Sequence, residues 1–87
     1  MYVVIVYDVS VERVNKVRIF LKRYLDWIQN SVFEGELTKA KLKEIELGLK
    51  QIIDEEEDSV IIYITREEKL LKKKYIGEPK VEVTRIL

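Results

Sequence analysis

The chain has no cysteine and no histidine. The first absence excludes disulfides, thiolate nucleophiles and sulfur-ligated metals. The second excludes an imidazole base and a zinc site of the usual kind. Any catalysis falls to carboxylates, lysine, tyrosine, serine or threonine. Glycine occurs three times and proline once, and there is no linker, repeat or low-complexity tract. No apolar run is long enough to span a bilayer, and no basic region precedes the apolar start. A cytoplasmic protein with no membrane partner is therefore expected. Neither sign of charge is in excess: 16 Lys and Arg balance 16 Asp and Glu. Net charge thus says nothing about a polyanionic partner.

What is present is an 87-residue chain that is 47% apolar and 37% charged. That is one small domain, residues 1–87, able to bury a modest share of its surface. A second copy would extend its core. So high a charged fraction also fits a heat-adapted source. The charge is unevenly placed. Residues 12–24 carry Arg13, Lys16, Arg18, Lys22 and Arg23 against Glu12, whereas "DEEED" fills 54–58 and "KLLKKK" fills 69–74. Local basic patches can bind nucleic acid when the total is zero, although such runs are more often solvated helix faces and ends.

The stretch "YVVIVYD", residues 2–8, reads as a strand buried on both faces that runs into a carboxylate. Ser10 can cap a helix over about 11–25, with Glu12 at its positive end. Val14, Val17, Leu21, Tyr24 and Leu25 recur on its apolar arc, with Phe20 beside them. "WIQNSVFEGEL", residues 27–37, is either one kinked strand or a very tight hairpin broken at Asn30–Ser31. Gly35 within it marks a bulge or a close backbone approach. Thr38 can cap a second helix, whose apolar positions are Leu42, Ile45, Leu49, Ile52 and Ile53. "DEEED" sits at the wrong end of that helix for its dipole and so marks the following loop. "SVIIYIT", residues 59–65, is another buried strand. "KVEVTRIL" is a short final strand in which Val81 and Val83 alternate with Glu82 and Thr84.

The order predicts an α+β, ferredoxin-like βαββαβ sandwich with an extra C-terminal strand. Two helices cover only one face of its sheet, yet the strands are apolar on both. A homodimer packed through the second face is the economical solution. Residues 66–87 then form a C-terminal extension expected to contact the partner subunit.

Three stretches, "VVIVYDVS", "IQNSVFEGEL" and "IIDEEEDSVIIY", together resemble the small CRISPR-associated Cas2 family over about residues 1–65. The resemblance implies a ferredoxin-like homodimer, packed sheet against sheet, that works in spacer acquisition. It implies assembly with the integrase subunit Cas1 and binding of duplex DNA along basic surfaces. It also implies magnesium-dependent endonuclease activity on single-stranded RNA or duplex DNA. Asp8 matches the family's metal-linked aspartate at the end of the first strand. Tyr7 matches a frequent type before it, and Ser31 and Phe33 match the second-strand signature. Trp27 stands where many members carry a basic residue, and the loop after the first strand offers only Arg13 and Lys16.

Asp8 is the candidate catalytic and metal-binding residue. Magnesium, or another divalent cation, takes oxygen ligands and retains several waters. Two copies of Asp8 facing each other across a dimer axis would share one ion, which lowers the pKa of a bound water and neutralises a phosphate. Ser31 is the second catalytic candidate, as an orienter of phosphate or water. Arg13, Lys16 and Phe33 are the nucleic-acid-binding candidates, two for phosphate and one for stacking a base. Each has a structural alternative. In the structural reading Asp8 serves the strand-to-helix turn, Ser31 is a turn or bulge residue, Phe33 belongs to the core or an interface, Tyr7 packs, Trp27 covers a helix end, and Arg13 and Lys16 lie on a solvated helix face. Two further functional classes stay open: a stand-alone, toxin-like metal-dependent endoribonuclease, and a non-catalytic ferredoxin-like nucleic-acid-binding module.

Overall fold

A computed structural model of the chain describes residues 1–78. Tyr2–Asp8 forms β1, Val11–Leu21 α1, Asp26–Gln29 β2, Val32–Glu36 β3, Lys39–Ile52 α2 and Ser59–Thr65 β4. A 3-10 turn follows at Glu68–Leu70. The strands pair in the order β2-β3-β1-β4, every pair antiparallel. This is the expected ferredoxin-like arrangement. The final strand expected over 80–87 lies outside the described residues.

Strand geometry sends alternate side chains to opposite faces. Val3, Ile5 and Tyr7 of β1 and Phe33 of β3 are buried with the apolar sides of both helices. From α1 come Val17 and Leu21, and from α2 come Leu42, Ile45 and Leu49. Burying a side chain of this size fully stabilises the fold by about 1.5–3 kcal/mol, and Phe33, Ile5, Leu21, Ile45, Val3 and Val17 are all fully buried. The two helices approach closely where Phe20 lies over Gly48. A Cβ on that glycine would run into the Phe20 ring.

The hairpin reading of 27–37 is the observed one. Gln29 pairs with Val32, leaving Asn30 and Ser31 as a two-residue turn with Asn30 at φ 43°. Its register shifts between Trp27 and Gln29, so the irregularity lies in β2. Gly35 instead marks a close approach, because a Cβ there would meet Leu25 Cδ2 at 3.0 Å. Trp27 serves the same hairpin, donating its indole N–H to the Asn30 carbonyl at 2.9 Å.

The first helix is shorter than its apolar pattern suggests. It ends at Leu21, and Tyr24 and Leu25 both donate to the Leu21 carbonyl, at 3.0 and 2.9 Å. This tight turn lowers Leu25 into the core and starts β2 at Asp26. Thr38 caps α2 as expected, accepting from Lys41 N at 3.1 Å. Ser10 occupies the cap position of α1 but makes no side-chain cap hydrogen bond. Asp58 instead holds Ser10 itself from across the chain, accepting from Ser10 N at 2.9 Å.

Candidate functional site

Asp8 is the last residue of β1 and follows Val4 and Val6 on the face turned away from the helices. Opposite these three on β4 stand Ser59, Ile61 and Tyr63. Ile61 is 51% exposed and Tyr63 56%, so a band of apolar side chains lies open to solvent and ends at a carboxylate. Asp8 is itself exposed and has no ion pair or side-chain hydrogen bond among the described residues. Neither do those residues contain a cluster of three or more acidic side chains able to hold a metal ion. Among the described residues one chain therefore offers a single carboxylate here, and a metal site built on it would need another copy or a substrate phosphate to complete it.

Ser31 is brought to the same end of the sheet. Its carbonyl accepts from Tyr7 N at 3.1 Å. Tyr7 points to the helix side, where its buried hydroxyl makes no well-formed hydrogen bond. Burial pushes that hydroxyl above the ordinary tyrosine range, with Ser31 and Arg18 acting in the opposite direction. Ser31 thus acts on Tyr7, while Asp8 faces the other way.

Phe33 does not stack a base in this fold. Its ring is fully buried beneath the helices and lies against Tyr7, with centroids 6.2 Å apart and planes 24° apart. Its register opposite Ile5 assigns it to the core face, so the packing alternative stands and the binding expectation is corrected.

Arg13 is also committed elsewhere. Its Nε donates to Asp58 at 2.5 Å, and its terminal nitrogens reach Asp58, Glu57 and Glu12 at 3.1, 2.9 and 2.9 Å. Asp58 is buried and also accepts from the backbone N–H groups of Ser10 and Asp54. The Arg13 guanidinium, with those two amides, holds the Asp58 carboxyl well below the usual carboxylate range despite its burial. Arg13 is in turn raised above its ordinary value, first by Asp58 and then by Glu57. The pair ties the start of α1 to the loop before β4. In the sequence Asp58 is one acid among five, and nothing local marks it as the one that turns inward. Lys16 remains exposed on α1 without an ion-pair partner among the described residues, and is the phosphate candidate that this geometry leaves available.

The segment after β4 lies back on the open face. Lys73 forms an ion pair with the buried Glu34 of β3, and its Nζ stands 5.8 Å from the Tyr2 ring centroid. Tyr2 donates its hydroxyl to Glu34 at 2.6 Å. Burial, then Glu34, raises the Tyr2 hydroxyl far above its ordinary value. This cluster covers the Tyr2 end of the outer face. The Asp8 end stays open.

The family model for CRISPR associated protein Cas2 matches residues 1–73. This chain belongs to the Cas2 family. A Methanosarcina acetivorans protein named CRISPR-associated endoribonuclease Cas2 is 55% identical over 87 residues, the whole of both chains. A Pyrococcus furiosus protein of the same name is 65% identical over 66 residues, covering 76% of this chain and 78% of that one. A Cas2 crystal structure superposes with a TM-score of 0.87 at 54% identity, over 95% of this chain and 93% of the other. Streptococcus pyogenes Cas2 gives a TM-score of 0.79 at 34% identity, over 88% of this chain and all of the other. The Cas2 match runs beyond the sandwich and includes Lys73, so the family pattern takes in the segment that folds back on Glu34.

Proposed function

We propose that this Cas2 protein acts as a homodimer that binds nucleic acid and cleaves it with magnesium held between two copies of Asp8. The supporting observation is the open band of Val4, Val6, Ile61 and Tyr63, which ends at Asp8, an exposed carboxylate without a partner among the described residues. Packing this band against its equivalent removes apolar surface from water and places the two Asp8 strand ends in one interface. A pair of carboxylates completed by waters suits magnesium, a hard cation with oxygen ligands. When bound, the ion makes a coordinated water more acidic and neutralises phosphate charge. The protein's own contribution would be to hold the two carboxylates at strand ends, with the exposed Lys16 of α1 available for a phosphate. In the cell this dimer would join the integrase subunit Cas1 in the cytoplasm and hold duplex DNA during spacer acquisition. Single-stranded RNA is the alternative substrate, in line with the endoribonuclease name of the relatives. The C-terminal extension would contact the partner subunit.

The test compares the wild type with Asp8→Ala on single-stranded RNA and on duplex DNA, with magnesium and with EDTA. Cleavage that needs both magnesium and Asp8, in a variant with unchanged unfolding, is the expected result. Cleavage that survives Asp8→Ala would overturn the metal assignment. Failure to co-purify with the cognate integrase in the presence of duplex DNA would overturn the scaffold role.

A further inference from the structure

A cleft of about 470 Å³ opens between the turn after α1 and the start of α2, lined by Arg23, Tyr24, Glu36, Thr38, Lys41 and Glu44 among others. It lies at the opposite end of the sheet from Asp8. Leu37 N donates to the Met1 carbonyl, and Glu36 pairs with Tyr2, the first residue of β1. At about 3.4 Å per residue, β1 separates the two ends by roughly 20 Å.

The charges lining the cleft are not evenly satisfied. Glu36 is paired with the Met1 amino group at 2.8 Å. Glu44 is 3.5 Å from Lys41 and accepts from the Tyr24 hydroxyl at 3.3 Å. Arg23 has no carboxylate partner among the described residues. Its guanidinium carbon stands 5.8 Å from the ring centroids of both Phe20 and Tyr24. Those two rings are held edge to face at 5.4 Å. Lys41 Nζ lies 5.9 Å from the Tyr24 centroid. Tyr24 therefore positions two cations around one opening. An aromatic face holds a cation in place without neutralising it, so the N–H donors stay available. A guanidinium presents a planar fork that fits phosphate oxygens, and an ammonium adds a point charge.

We infer that this cleft is a phosphate-binding site, with Arg23 as the forked donor, Lys41 as the second cation and Tyr24 as the platform that positions both. The phosphate belongs either to a nucleic-acid backbone or to a free nucleotide. This site goes beyond the Asp8 reading and needs neither a metal nor a dimer.

Amide NMR of the full chain, titrated in parallel with inorganic phosphate, adenosine monophosphate and a short single-stranded RNA, tests it. Saturable shifts at Arg23, Tyr24, Thr38 and Lys41 with phosphate and with the nucleotide are expected. Arg23→Ala and Lys41→Ala should each weaken phosphate binding about tenfold, equivalent to about 1.4 kcal/mol. Arg23→Lys, which keeps the charge and loses the fork, should fall between. If the source is a nucleic acid, RNA gives the same shifts, and Arg23→Ala lowers the magnitude of the salt dependence by about one unit of slope. If it is a free nucleotide, the RNA shifts avoid the cleft while the nucleotide shifts remain. Phosphate shifts absent from the cleft, or unchanged affinity in both alanine variants, overturn the inference. RNA binding that persists in that case leaves the Asp8 reading standing. Loss of RNA binding by the wild type, with phosphate still seated in the cleft, does the reverse.

Discussion

The two faces of the sheet use the same residue types and meet opposite fates. On the helix side, Val3, Ile5 and Phe33 are wholly buried and Tyr7 nearly so. On the other side, Val4 and Val6 are half-buried, and Ile61 and Tyr63 stand open. The faces also treat charge differently. Asp58, near the helix-side core, is satisfied by Arg13 and two backbone amides. Asp8, on the outer face, has no such partner among the described residues. The helix side ties Asp58 into the fold, whereas the Asp8 end of the outer face leaves a carboxylate open to solvent.

Core truncation should give the largest effect in breaking this contrast. Phe33→Ala should lower unfolding stability by about 3–5 kcal/mol, read from urea midpoints. Asp58→Asn should come next at neutral pH, because it leaves Arg13 and two amides facing a neutral group. The pH dependence has a definite sign. The folded Asp58 carboxyl lies below its ordinary value of 3.8, so the unfolded chain takes up that proton first. The stabilisation is complete above about pH 4 and declines as the pH falls toward the folded value. Urea midpoints of the wild type and Asp58→Asn should accordingly converge below pH 4.

Gly35→Val should cost about 1–3 kcal/mol through overpacking against Leu25, again seen as a lower urea midpoint. The smallest effect on folding is expected from the open face. Tyr63→Asp should leave monomer unfolding within about 0.5 kcal/mol, yet sedimentation should show a monomer where the wild type is a dimer. Equal losses of stability in Phe33→Ala and Tyr63→Asp would erase the distinction between the faces.

Much of this fold was legible in the order of residues. The spacing of Leu42, Ile45 and Leu49 gave α2, and Thr38 gave its cap, because both are local properties of a helix. The short loop at Asn30–Ser31 left two readings open, and pairing with β1 selected the hairpin. The apolar pattern continues to Leu25, past the end of α1 at Leu21. That residue is buried by the turn that follows the helix rather than by the helix itself. Of the binding candidates, Phe33 was lost to the core and Arg13 to Asp58, which lies 45 residues along the chain. The aromatic setting of Arg23 was invisible in the same way. Its platform includes Tyr24, whose other cation comes from α2.

The sequence alone determined the element types, the parity that puts Asp8 and Tyr7 on opposite faces, and the absence of histidine and cysteine chemistry. These follow from local periodicity and from composition. Tertiary structure alone decided which charges are already taken and which are left for a ligand. Ion pairing and burial depend on residues brought together from distant parts of the chain, and no local pattern records which partner each charge will meet.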